Sequence, residues 1–241
     1  MGDTMKKDIS FLYDIRIAHR GLHDHKIKEN TIAAFKKALE KEIPIELDLH
    51  LLKDNQIIVF HDDTLKRLFH VDKKVKDCTY EEIKAYGKKV GINVPLFQEV
   101  LDLVCGKVLL DIEFKYDRFP GLLEKRASLL LDKYRGPFLV KSFHPLSVIW
   151  FRVCRPTYIR GQLAEDVCKD RKWTGKLLTS MCFHFLTKPD FIAYEKKGSI
   201  LKRVQKLRKK VPILLYTIRS THELEKYGYL GDGYICENIL E

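Results

Sequence analysis

The chain has 241 residues, 45% of them hydrophobic and 32% charged; this balance excludes a disordered or collagen-like chain, and the length suits one single-core domain, residues 1–241, of the α/β-barrel size class. Lys and Arg number 44 against 33 Asp and Glu, a net charge of +11 at pH 7 that gathers phosphate-bearing partners, but no zinc-finger or RNA-binding signature and no interleaving of aromatic with basic residues points to nucleic acid. Six cysteines without a CxxC pair argue against a zinc or dithiol redox site, and no stretch approaches about 18 apolar residues, so the expectation is a cytoplasmic enzyme.

Strand-like runs alternate with helix-like ones. DIRIAH (14–19) reads as the first strand and 31–41 as a helix, with Asn30 placed to cap it. In IPIELDLHLL (43–52), Ile45, Leu47, Leu49 and Leu51 alternate with Glu46, Asp48 and His50, a strand pattern. The turn KDNQ (53–56) is too short for a parallel crossover, so IIVFHD (57–62) returns antiparallel as a hairpin. Helices near 79–86 and 95–104 precede strand KVLLDIEFK (107–115). From there the alternation is regular: helix 120–134, strand 138–143, helix 145–154, strand 158–163, helix near 173–185, strand 191–195, helix 199–210, strand 212–218, helix 220–228 and strand 232–236.

Without the hairpin return, eight strands alternate with helices. That order predicts a (β/α)8 TIM barrel with a small hairpin and helical insertion after strand two, about 53–105, and an active site at the C-terminal ends of the strands. A doubly wound open sheet is disfavoured because no GxGxxG follows the first strand.

Polar residues collect at those strand ends: His19 and Arg20, then Glu46 and Asp48, then Glu113 and Lys115. Residues two apart on a strand share a face, so three carboxylates from neighbouring strands face one opening. Close like charges cannot all stay ionised there without a cation, which predicts one divalent, oxygen-liganded ion, Mg²⁺ or Ca²⁺ with Mn²⁺ as the alternative. The hairpin brings His61 beside Asp48 and opposite His19. Two imidazoles flanking such a cluster, with Arg20 and Lys115 nearby, suit phosphoryl chemistry in which one removes a proton and the other donates one.

The motifs HRG, ENTIAAF, IELDLHLLKDNQIIVFHDDTLKR, LDIEFK, SFHP, YTIR and GDGYICEN, in this order from about 15 to 238, resemble those of the glycerophosphodiester phosphodiesterase family. The resemblance implies a (β/α)8 barrel that hydrolyses small glycerophosphodiesters with a divalent cation. It implies catalytic histidines at His19 and His61, metal ligands at Glu46, Asp48 and Glu113, and phosphate contacts from Arg20 and Lys115. The chain departs from the family late. Tyr216-Thr217-Ile218-Arg219 stands where the family usually has Trp-Thr-Val-Asn, His144 where it has Asn, and Glu237 where it has Asp. Substrate identity, more than reaction type, is open at these positions.

Tyr216 either stacks on the glycerol or head group or belongs to the core. Glu29 reads as a loop residue near the first strand's end, Asp62 as a turn residue, and the histidines other than His19 and His61 as surface or packing residues. Two rival functions stand beside hydrolysis of a soluble diester. One is a lysophospholipase D or phospholipase C-like enzyme on membrane lipids, which the basicity would help, although no interfacial amphipathic helix is evident. The other is a non-catalytic phosphate-binding barrel, whose signature would be a histidine or acid missing from the set. Oligomeric state is not legible in the sequence.

Overall fold

The computed structural model describes residues 7–116, 120–165 and 184–240. The polar strand ends found in the sequence lie on a closed sheet. Its first strand, β1 (Arg16–Ala18), leads through α1 (Ile32–Glu40) to β2 (Ile45–Leu51), and Ala18 pairs in parallel with Ile45. β3 (Ile57–Val59) returns antiparallel, with Leu49 opposite Val59 and Leu51 opposite Ile57, on the stretch of β2 beyond its short contact with β1. The next helices are α2 (Lys66–Phe69), α3 (Tyr80–Val90) and α4 (Phe97–Val104).

Then come β4 (Leu110–Phe114), α5 (Leu122–Leu131), β5 (Phe138–Ser142), α6 (Pro145–Cys154), β6 (Ile159–Ala164) and α7 (His184–Thr187). The chain closes with β7 (Phe191–Glu195), α8 (Lys202–Arg208), β8 (Ile213–Ile218), α9 (Thr221–Tyr227) and β9 (Gly233–Cys236). Among the described residues nine strands form one sheet; removing antiparallel β3 leaves eight parallel strands, closed by the pairing of β9 with β1, Cys236 opposite Ala18. This is the predicted (β/α)8 barrel.

Inward-pointing apolar side chains, among them Ile17, Leu139, Leu163, Phe191, Leu214 and Ile235, make one buried cluster with Leu12. Gly161 is the small partner in that packing: a Cβ there would stand 2.3 Å from the Phe191 ring. Two further clusters lie among strands and helices, and α4 contributes Phe97, Val100, Leu101 and Val104 to the larger one. The insertion has its own core of Leu52, Ile58, Phe60, Leu65, Phe69, Val75, Cys78, Ile83, Ile92 and Val94. Its helix α3 starts on a reciprocal Thr79–Glu82 capping box and stops at Gly91, whose φ of 69° suits glycine.

Several boundaries differ from the sequence expectation. The predicted helix near 173–185 lies mostly outside the described residues. Helix α1 is capped by Thr31, whose hydroxyl accepts from Ala34 N–H, and not by Asn30, which faces the acids of β2. The predicted strand 57–62 loses its ladder after Val59, although Phe60 N–H still donates to Asp48 O at 3.0 Å. The predicted helix 199–210 is a 3-10 turn, Gly198–Ile200, followed by α8. Helix α2 was not anticipated, since four residues are too few for a periodic signal.

Candidate active site

The HRG tripeptide is a sharp exit from β1. Arg20 and Gly21 both have positive φ, 56° and 79°, and a Cβ on Gly21 would lie 2.9 Å from Ala34 and Phe35 of α1. Only glycine fits a turn pressed this closely on a helix. The turn aims Arg20 N–H at Glu46 Oε2, 3.0 Å away. Its guanidinium donates to Glu29 Oε1 at 2.8 Å and lies 3.5 Å from Asp48 Oδ2.

The parallel register of β2 and β4 sets Glu46 beside Asp111 and Asp48 beside Glu113, and Lys141 of β5 sits beside Glu113. All five are buried. Lys141 Nζ lies 2.6 Å from Asp111 Oδ2 and 3.2 Å from Glu46 Oε1. Lys115 contacts Glu113 and reaches Asp48 Oδ1 at 2.8 Å. Asn30 donates to the other Asp48 oxygen at 2.8 Å. Burial works against ionisation of Asp48, but Lys115, Arg20 and His61 outweigh it and hold the carboxyl well below the usual range. Asp111 is different: burial dominates despite Lys141 and pushes its carboxyl up to about 6.

Carboxylate oxygens of Glu46, Asp48 and Glu113 lie within 4.8 Å of one another. Four buried acids (Glu46, Asp48, Asp111, Glu113) face three cationic side chains (Arg20, Lys115, Lys141), so the charges of this cluster do not cancel. A hard divalent cation fits a donor set of three carboxylates with that residual charge.

Above the acids opens a cavity of about 690 Å³, lined by His19, Arg20, Glu46, His61, Glu113, Lys115, Tyr216 and Arg219 among others. Each histidine has a carboxylate on its Nδ1 side. His61 Nδ1 is 2.7 Å from Asp62 Oδ1, and His19 Nδ1 is 3.4 Å from Glu237 Oε2. An ionised carboxylate only accepts, so the His61 ring donates from Nδ1, and Nε2 is the nitrogen left to gain or lose a proton. Arg67 holds Asp62 through Nε at 2.6 Å and Glu29 through Nη2 at 2.6 Å. Burial resists ionisation of Asp62, yet the bonds from His61 and Arg67 keep its carboxyl well below the usual range. The chain His61, Asp62, Arg67, Glu29, Arg20 thereby ties the insertion to the β1 loop.

The predicted set comes together, with Asp48 beneath Lys115, Arg20 and Asn30 and not on the cavity wall. Tyr216 lines the cavity while its hydroxyl donates to Ala164 O at 2.9 Å and its ring meets Phe143 edge-on. His50 is buried, with Nε2 3.3 Å from His61 O, and so belongs to packing as expected. The sequence reading missed Asn30, Asp111, Lys141 and the Asp62–Arg67–Glu29 chain. Asp111 and Lys141 had a usable signal: Asp111 is two residues before Glu113, and Lys141 lies two from both Leu139 and Phe143. Among the described residues one further group, His19, His23 and Glu237, has ligand-type atoms within 4.8 Å. Arg219 Nε already donates to Glu237 Oε2 at 3.0 Å.

A barrel whose mouth combines an acidic triad, paired histidines and cationic side chains defines a phosphoric diester hydrolase. The sequence pattern of the glycerophosphoryl diester phosphodiesterase family matches residues 19–223, and the chain belongs to that family. It is 33% identical over 234 residues to a glycerophosphodiester phosphodiesterase of Bacillus altitudinis, covering 91% of this chain and 93% of that one. Its structure resembles the crystal structure of the Thermotoga maritima glycerophosphodiester phosphodiesterase with a TM-score of 0.70 at 25% identity, over 93% and 94% of the two chains. It also shares its fold with an Oleispira antarctica phosphodiesterase in complex with the product sn-glycerol-3-phosphate, at a TM-score of 0.76 and 20% identity over 94% of each chain.

Proposed function

We propose that this chain hydrolyses small soluble glycerophosphodiesters to glycerol 3-phosphate and an alcohol, with His19 and His61 as the acid–base pair. The observation that carries this reading is that both imidazoles border the cavity over Glu46, Asp48 and Glu113. The product held by the Oleispira phosphodiesterase supports glycerol 3-phosphate as the common product.

Glu46, Asp48 and Glu113 would hold one divalent cation, Mg²⁺ or Ca²⁺, with Mn²⁺ as the alternative. When bound, that ion supplies positive charge to the phosphoryl oxygens. Arg20 and Lys115, held at the same cluster, donate to those oxygens as charge builds in the transition state. A bare Nε2 on one histidine takes the proton of the attacking oxygen, either from water or from a neighbouring glycerol hydroxyl whose cyclic phosphate water then opens, and the other histidine, protonated, gives one to the leaving oxygen. Tyr216 offers its ring to the glycerol or alcohol portion, its own hydroxyl being engaged by Ala164.

Turnover of glycerophosphocholine by the wild type, His19→Ala and His61→Ala tests this. Each variant should lose about 10²–10⁴-fold in kcat with its fold intact, and chelation should abolish activity reversibly. Near wild-type turnover in both variants would overturn the assignment.

One observation favours a lipid diester as a second reading. A second cleft of about 530 Å³ has an apolar wall of Leu51, Leu52, Pro120, Leu122 and Leu123 and a charged rim that includes Lys53, Lys76, Asp77 and Glu124, and it shares Lys115 and Tyr116 with the lining of the catalytic cavity. Such a cleft suits an acyl chain. Turnover of lysophosphatidylcholine well above that of glycerophosphocholine would select it. No described helix is long and apolar enough to cross a membrane.

A further inference from the structure

Arg219, Glu237 and His19 are the first residues beyond the C-terminal ends of three neighbouring strands, β8, β9 and β1. The register makes their meeting a consequence of the fold. Ala18 pairs with Cys236 and Ile218 also pairs with Cys236, so the next residue on each strand emerges at the same height. Backbone bonds fix the arrangement: His19 N–H donates to Cys236 O at 2.9 Å, and Glu237 N–H to Ile218 O at 2.9 Å.

From this platform the Glu237 carboxylate meets three groups. Oε2 accepts from Arg219 Nε at 3.0 Å and lies 3.4 Å from His19 Nδ1, while Oε1 lies 3.8 Å from His23 Nε2. Both of those ring nitrogens are buried and have no hydrogen-bond partner. A guanidinium on the same oxygen that faces His19 disfavours a metal ion there and favours an ion pair that keeps the carboxylate ionised and turned to the ring.

We propose that Glu237, steadied by Arg219, is the positioning residue of His19. An ionised carboxylate at Nδ1 keeps the proton on that nitrogen, leaves Nε2 bare toward the cavity, and stabilises the imidazolium once Nε2 has taken a proton. The contact is longer than a hydrogen bond, and catalytic bonds of this kind tighten when substrate binds. Asp62 lies on the Nδ1 side of His61 at the shorter distance of 2.7 Å, and both imidazoles line one cavity. The proposal rests on the phosphodiesterase reading for its consequence in turnover, but not for the state of the ring.

Two measurements on the full chain separate these. Nitrogen-15 spectra of the His19 ring in the cation-free wild type should show the neutral ring protonated on Nδ1. In Glu237→Ala the population should move toward the Nε2-protonated form, and in Glu237→Gln, which keeps an acceptor but loses the charge, it should move less. Kinetics on glycerophosphocholine should show Glu237→Ala losing about 10²-fold in kcat, with KM changed by less than about 3-fold. In a His19→Ala background the same substitution should cost nothing further, because Glu237 acts through that ring.

A His19 tautomer unchanged by Glu237→Ala, or a full additional loss in the His19→Ala background, would overturn the proposal. If the wild type turns over no glycerophosphodiester, the phosphodiesterase reading fails while the spectra still decide the role of Glu237. Circular dichroism and the thermal midpoint exclude unfolding; should Glu237→Ala fail to fold, Glu237→Gln carries both measurements, with a smaller kcat loss supporting the proposal and none opposing it.

Discussion

Replacing Asn30 by glycine removes one hydrogen bond into the acidic cluster and leaves the backbone free to keep its shape. Asn30 has φ of 54°, which glycine adopts without strain, whereas alanine would add about 1–2 kcal/mol of backbone cost. Its Nδ2 donates to Asp48 Oδ2 at 2.8 Å between two buried side chains, and a bond to a charged group contributes about 1.5–3 kcal/mol. In a chain of this size each kcal/mol moves the thermal midpoint by about 2–4 °C. The expected fall is therefore about 3–12 °C. Asp48 also loses a group that orients its carboxylate, which should weaken cation binding by about 10–100-fold. Thermal unfolding without added cation and calorimetric titration with Mg²⁺ or Ca²⁺ measure the two effects separately. A midpoint within about 1 °C of wild type, together with unchanged cation affinity, would refute the reasoning.

Lys141→Met leaves Asp111 and Glu46 without their shared ammonium and should destabilise the barrel by about 3–5 kcal/mol in urea unfolding; adding Asp111→Asn should recover part of that loss. Gly161→Ala sets a methyl group 2.3 Å from the Phe191 ring, and the overpacking should cost about 1–3 kcal/mol, read as a lower urea midpoint with an unchanged slope. The His19 ring, with Arg219 and His23, holds the Glu237 carboxyl down at about 2, below the unfolded value of about 4.3. Stability from this group is thus complete above the unfolded pKa and is lost as pH falls toward about 2. The gap between wild type and Glu237→Ala in urea midpoints should accordingly close as pH falls below about 4; a gap that does not narrow on acidification would contradict the ion-pair arrangement.

Strand β2 was legible because Ile45, Leu47, Leu49 and Leu51 alternate with Glu46, Asp48 and His50, and the same spacing of two places Glu46 with Asp48, and Glu113 with Lys115, on one face of the barrel wall. His61 was legible through a turn too short to cross over. What escaped was set by contacts distant in sequence. Asn30 looks like a helix cap because it precedes a helix, and nothing local tells that its left-handed backbone turns the amide to Asp48, 18 residues away. Asp62 looks like a turn residue because its link to Glu29 passes through Arg67, 38 residues beyond that glutamate. Glu237 was noted only as a departure from a family pattern, although its position directly after the last strand was itself a signal once that strand is known to adjoin β1.

The separate core of the insertion has a consequence for how the enzyme can fail. His61 follows Phe60, which is packed with Ile58, Leu65 and Phe69 in that core, whereas the three carboxylates stand on barrel strands. Proteins open locally along such divisions at less than the cost of global unfolding. An opening confined to the insertion would carry one imidazole away and leave the acids assembled. If His61 acts as proposed, such an opening would lower turnover while the barrel and its acids stay folded.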